Sequence, residues 1–156
     1  MASWGSCDFS ELEKLRDSLE AMGNQKKADA FCEDCAKELA ARLLRKVIKR
    51  TPTDTGNLRK NWTTQADGSG SEGLKTRGAT QYVDTLKVHR YGNNFVVNIT
   101  NPTEYASFVE FGHRTVDHKG WVNGQFMLTI SEKEIADAAP GILEKKLTAY
   151  LKEVFQ

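Results

Sequence analysis

Apolar residues along this chain of 156 residues recur mostly at three- and four-residue intervals, the period of an amphipathic helix. Leu12, Leu15, Leu19 and Met22 predict a first short helix, with Ser10 and Glu13 as its capping box and Gly23-Asn24 as its end. A second helix is predicted from about Lys26 to Arg50. Its apolar positions form two rows: Ala28, Cys32, Ala36, Ala40, Leu44 and Ile48, and beside them Phe31, Cys35, Leu39, Leu43 and Val47. Each row steps by four residues. A helix turns about 100° per residue, so each step overshoots by about 40° and the seam drifts by roughly 200° along its length. No single flat neighbour covers such a seam. Its two ends are therefore expected to face different partners, and another subunit is admitted as one of them. Acidic residues early (Asp29, Glu33, Asp34) and basic ones late (Arg42, Arg45, Lys46, Lys49, Arg50) suit the helix dipole.

Pro52 disfavours helical geometry at Thr51 and stops the helix there. Asp54 or Thr55 is placed to cap a new turn, on which Leu58 and Trp62 share a face. From Gln65 to Gln81 the chain is polar, carries Gly68, Gly70, Gly73 and Gly78, and has no period, which predicts a mobile loop. A period of two then appears. Tyr82–Arg90 and Phe95–Ile99 read as a hairpin around Tyr91-Gly92-Asn93-Asn94, with Phe95, Val97 and Ile99 inward. Asn101-Pro102 reads as the start of a short helix with Tyr105, Phe108 and Val109 on one face and an end near Gly112. Residues 113–124 read as a loop. Two C-terminal helices follow, 127–138 and 141–154, broken at Pro140. The order predicts an α+β fold, a long amphipathic helix and C-terminal helices packed on a small antiparallel sheet. It predicts a single domain over 1–156, with 1–9 an N-terminal arm and 66–81 a flexible glycine-rich loop.

Composition changes this picture little. Hydrophobic content of 39% and charged content of 28% are ordinary. A net charge of +1 gives no whole-molecule attraction to nucleic acid or membrane. No apolar run approaches the roughly 20 residues that span a bilayer, and the first residues lack a signal-peptide pattern. Cys7, Cys32 and Cys35 are an odd, sparse set that fits synthesis in a reducing cytoplasm.

Candidate chemistry is thin. Asp54-Thr55-Gly56 has the string of an aspartic protease, but that chemistry needs paired carboxylates in a shielded loop between apolar strands. Here the flanks are polar, and a helix stop and cap is the better reading. Gly68, Gly70 and Gly73 match G-x-G-x-x-G without the strand before or helix after that a dinucleotide site requires. Cys32 and Cys35 sit beside Glu33 and Asp34 inside a helix, without cations to activate them or further ligands to complete a zinc site, and are expected to be buried small apolar residues. Glu110, His113, Asp117 and His118 lack the signature of a catalytic or metal cluster. No cofactor and no metal is expected. Arg42, Arg45, Lys46, Lys49 and Arg50, with Arg59 and Lys60, form either a solvated face or a contact for an acidic surface or DNA phosphates. No aromatic residues are interleaved among them for base stacking.

Two blocks carry a resemblance. Thr51-Pro52-Thr53-Asp54-Thr55-Gly56-Asn57-Leu58-Arg59, following an amphipathic helix, resembles a block of small head–tail joining proteins of tailed phages and prophages. Asn101 to His113, with Tyr105, Phe108, Glu110, Phe111 and Gly112, resembles their second block, and a glycine-containing loop and C-terminal helices follow. The resemblance implies a non-enzymatic virion protein of the neck or tail end, made in the host bacterial cytoplasm and working as a ring. It makes Pro52, Asp54, Thr55, Gly56, Leu58 and Arg59 the structural motif. It implies contacts through Tyr105, Phe108, Glu110, Phe111, Gly112 and His113, and through Arg42, Arg45 and Lys49. The implied partners are copies of itself and neighbouring head-connector and tail proteins, with DNA passing through the channel and no membrane. The alternatives are a nucleic-acid-binding module and a hydrolase using Asp54.

Overall fold

The computed structural model describes Asp17, Glu20 and residues 23–54, 56–64 and 86–155. Asp17 and Glu20 are helical, and the rest of the first expected helix, the 1–9 arm, Cys7 and the 66–81 loop lie outside the described residues. Helix α1, Gln25–Arg50, opens on Asn24, whose side-chain oxygen accepts from the Lys26 N–H. It ends at Thr51, whose extended backbone is what the following proline demands. A single turn, α2 (Asn57–Lys60), follows. Strands β1 (His89–Tyr91) and β2 (Asn94–Val96) pair antiparallel across Gly92-Asn93, His89 opposite Val96 and Arg90 opposite Phe95. Helix α3 is Ala106–Phe111. A second antiparallel pair, β3 (Gly112–Arg114) and β4 (Trp121–Asn123), leads to helix α4, Met127–Phe155. The fold is α+β as expected, with two separate two-stranded sheets among the described residues.

The core gathers around the C-terminal half of α1. Ala40, Ala41, Leu44 and Val47 meet Leu58, Trp62, Leu86 and Met127, with Val97, Ile99, Ala106, Val109 and Leu128 packed against them. Leu58 and Trp62 do share a buried face. The N-terminal half of α1 meets the far end of α4 and β1: the Phe31 ring lies tilted against Tyr150 of α4 at 4.6 Å, and Asp29 pairs with Arg90 of β1. Helices α1 and α4 therefore run antiparallel, clasped by Lys46 and Arg50 on Glu134 (both 2.7 Å) and by Lys146 on Glu38 (3.1 Å). Contrary to the expectation of a different neighbour at each end, α4 follows the seam from end to end because the two helices run antiparallel. Leu58, Trp62 and Leu86 join it only at the C-terminal half, and the seam stays partly open. Cys32 is exposed, and Phe31, Cys35, Leu39 and Leu43 are half-buried.

Several expected boundaries move. The C-terminal helix runs through Pro140 as one element. The missing N–H would have served the Ala136 carbonyl, and both residues face solvent, where water can take its place. The clasps to α1 on either side of Pro140 hold the two halves in line. The short helix starts at Ala106, four residues later than Pro102 suggested. Asn101 is occupied elsewhere: its Oδ1 accepts from the Thr103 N–H and its Nδ2 donates to the Leu58 carbonyl. The stretch expected as a loop after Gly112 is the β3–β4 hairpin. Among the described residues no side chain caps α2, Asp54 included, and Thr55 lies outside them; the N-cap is Gly56, at φ +78°, a left-handed conformation that glycine adopts without steric cost.

Candidate interaction surface

The two sequence blocks meet in space. Thr51 is the hub of the first. Its hydroxyl donates to the Val47 carbonyl (2.6 Å) and accepts from the Trp62 indole N–H (2.8 Å), while its own carbonyl accepts from the Arg59 guanidinium at 2.8 and 3.3 Å. One threonine thus closes α1, satisfies a buried tryptophan and anchors the arginine that follows the turn. The second block docks on this clasp. Asn101 reaches the Leu58 carbonyl at 2.7 Å, Asn61 donates to Thr103 at 3.1 Å, and Thr63 and Thr100 exchange backbone bonds at 2.9 and 2.8 Å. Between the blocks lies a groove of about 640 Å³ lined by Pro52, Asp54, Gly56, Asn57, Leu58, Tyr105 and Val109.

Glu110 does not face outward. It is buried, and its carboxylate accepts from the N–H groups of Leu128 and Thr129 (2.9 Å each) and from the Thr129 hydroxyl (2.6 Å). It caps the N-terminus of α4, where the dipole favours a negative charge. Gly112, also buried, stands at φ +84°, and a Cβ there would sit 2.4 Å from the Val122 carbonyl oxygen; one on Gly124 would sit 2.3 Å from that of Glu110. The second block therefore has an inner set, Glu110 and Gly112, that joins α3, the hairpin and α4. Its outer set is exposed: Tyr105, Phe108 (56%), Phe111 (61%) and His113, with Phe108 and His113 rings 5.8 Å apart. Trp121 (58%), Val122, Phe126 and Ile130 are also exposed, on the hairpin and at the start of α4. Sequence reasoning missed Trp121 and Val122 because 113–124 read as a loop, and it did not single out Phe126 or Ile130.

The basic cluster is largely committed within the chain. Arg42 pairs with Glu38, Lys46 and Arg50 pair with Glu134, and Arg50 also donates to the buried Ser131 hydroxyl. Arg45 and Lys49 remain exposed. The Arg42 and Lys146 contacts hold Glu38 below its usual carboxylate range, and Lys46 and Arg50 do the same for Glu134. Cys32 is exposed rather than buried, and Cys35 is half-buried; both are free thiols. Burial pushes the Cys35 thiol up, with Lys146 opposing. Asp54 is exposed at the groove rim. Among the described residues no three His, Cys, Asp or Glu side chains converge as metal ligands, and no helix is long and apolar enough to cross a membrane.

Residues 13–112 match the HK97-gp10-like family, described as "Bacteriophage HK97-gp10, putative tail-component". The chain belongs to this family of phage tail-component structural proteins. Most of the hairpin and all of α4 follow the matched span. No curated protein and no solved structure matches the chain.

Proposed function

We propose that the protein forms a ring of identical copies at the head–tail junction or the tail end of a tailed bacteriophage or prophage particle. Family membership supports a tail component. The observation that carries the ring reading is the exposed face of Tyr105, Phe108, Phe111, Trp121, Phe126 and Ile130. Six large apolar side chains left exposed within residues 105–130 support a protein contact in this segment, and a closed ring hides such a contact on every copy. Neighbouring head-connector and tail proteins would meet the remaining faces. Within the basic cluster Arg45, Lys49 and Lys60 are exposed and would face DNA in the channel, Arg42 being engaged by Glu38.

Electron microscopy of particles carrying a tagged copy tests the reading. The expected result is one ring of density at the neck or tail end; a label scattered along the tail, or no label on the particle, would overturn it. The hydrolase alternative is separable by substitution. Asp54→Asn keeps the side-chain shape at the groove rim and leaves assembly intact under the ring reading, whereas hydrolysis by Asp54 would be abolished.

A further inference from the structure

We propose that residues 141–155, the distal half of α4, are a flap that swings off α1 as one unit about Pro140-Gly141 while residues 127–139 stay docked. The motion is a property of the single chain and holds whether or not a ring forms.

The two halves of α4 are held differently. The proximal half is anchored in the core: Met127, Ser131 and Ile135 are buried, and Glu110 caps the first turn. Arg50 and Lys46 grip Ser131 and Glu134 from α1. Beyond Pro140 no described residue is buried. Leu143, Tyr150, Leu151 and Val154 are half-buried, and Leu147 and Phe155 are 44% exposed. On α1 the first buried residue is Ala40, so the stretch facing the flap, from Phe31 to Glu38, has none either. Among the described residues the side chains of the flap are tied to α1 by the Lys146–Glu38 pair and the Phe31–Tyr150 ring contact. Both partners of that pair are partly exposed, and such pairs contribute little and are screened by salt. Closure also leaves the Tyr150 hydroxyl buried with no hydrogen-bond partner, and opening returns it to water. A segment with so little buried apolar surface lies at the low end of local stability.

The junction between the halves is where a bend costs least. Pro140 lacks the N–H that would bond the Ala136 carbonyl. Gly141 has no side chain, and nothing lies within 4 Å of where a Cβ would stand. A cavity of about 490 Å³ runs alongside, with Ala138, Gly141 and Ile142 of α4 and Glu38 and Arg42 of α1 in its walls. A helix bond is therefore missing within α4 at the same place where packing against α1 is missing beside it. α1 carries neither proline nor glycine from Gln25 to Arg50, so it stays straight and α4 yields.

Hydrogen exchange of the full chain, read by mass spectrometry, tests the flap. Amides of 143–155 are expected to exchange together, at least about tenfold faster than those of 129–139, with the step at Pro140. Rates that rise smoothly toward residue 155 would be fraying from the end, and rates that match across Pro140 would be one rigid helix; either overturns the proposal. Tyr150→Phe removes the unpaired hydroxyl and should slow exchange of 143–155 about fivefold or more, with 129–139 unchanged. Faster exchange in that variant would show the hydroxyl to be holding α4 down, and would overturn the weak closure. Pro140→Ala combined with Gly141→Ala restores a continuous helix and should erase the step; a step that persists there overturns the hinge.

Discussion

Glu110 shows how a residue can be conspicuous in the sequence and mislead about its role. It lies among exposed aromatics, yet its carboxylate is buried against three donors at the start of α4. Charge-assisted hydrogen bonds of this kind contribute about 1.5–3 kcal/mol each when a partner is left unsatisfied, but they share one carboxylate and do not add. Glu110→Ala is expected to cost about 2–4 kcal/mol in all, read from the urea midpoint, with α4 loosening at its first turn. A string of residues cannot show that Glu110 and Thr129 touch, because the contact depends on a tight passage through Gly112 and Gly124 that leaves no room for a Cβ at either. Thr51 was equally hidden. Pro52 announced the helix stop, but nothing local showed that the threonine hydroxyl would serve Trp62 eleven residues on.

At the scale of elements, periodicity was legible where burial is one-sided. α1 begins and ends within a residue of its expected bounds, because Asn24, Pro52 and the helical spacing of apolar residues agree. The β3–β4 hairpin was illegible, since its strands have three residues each, are exposed apart from Gly112 and lack alternation. The continuity of α4 was hidden for another reason: a local breaker lost to long-range clasps. Removing that breaker should help. Pro140→Ala restores a helix bond and a better helix former, and is expected to raise stability by about 1–3 kcal/mol in denaturant melts. A loss would mean that α4 needs its proline. The clasps also set a pH dependence. Both Glu38 and Glu134 have pKa values lowered by their cationic partners. Their contribution is therefore complete above the ordinary value of 4.5 and is lost as pH falls through that value toward the folded one. A chain with Glu38→Gln and Glu134→Gln should be less stable at neutral pH and show a flatter acid limb as pH falls below 4.5. The difference should shrink in high salt, because both carboxylates are partly exposed.

For the molecule as a whole, composition and charge said only what was improbable, and the two blocks carried the family. What they left unread was the division of the second block into an inner set that holds the fold and an outer set that faces away. Phe111→Glu separates the two. With Phe111 61% exposed, the substitution should change the thermal midpoint by no more than about 2 °C, while abolishing higher species in sedimentation. A chain that unfolds instead would show Phe111 to be part of the scaffold. The placement of the tryptophans gives this chain built-in optical reporters. Trp62 is sealed at 3% exposure with its indole N–H bonded, so its emission changes when the chain unfolds. Trp121 stands in water on the hairpin, so its emission should shift to the blue when a neighbour covers that face, with the fold unchanged. With Trp4, which lies outside the described residues, replaced by Phe, the colour of the fluorescence alone would tell joining from melting.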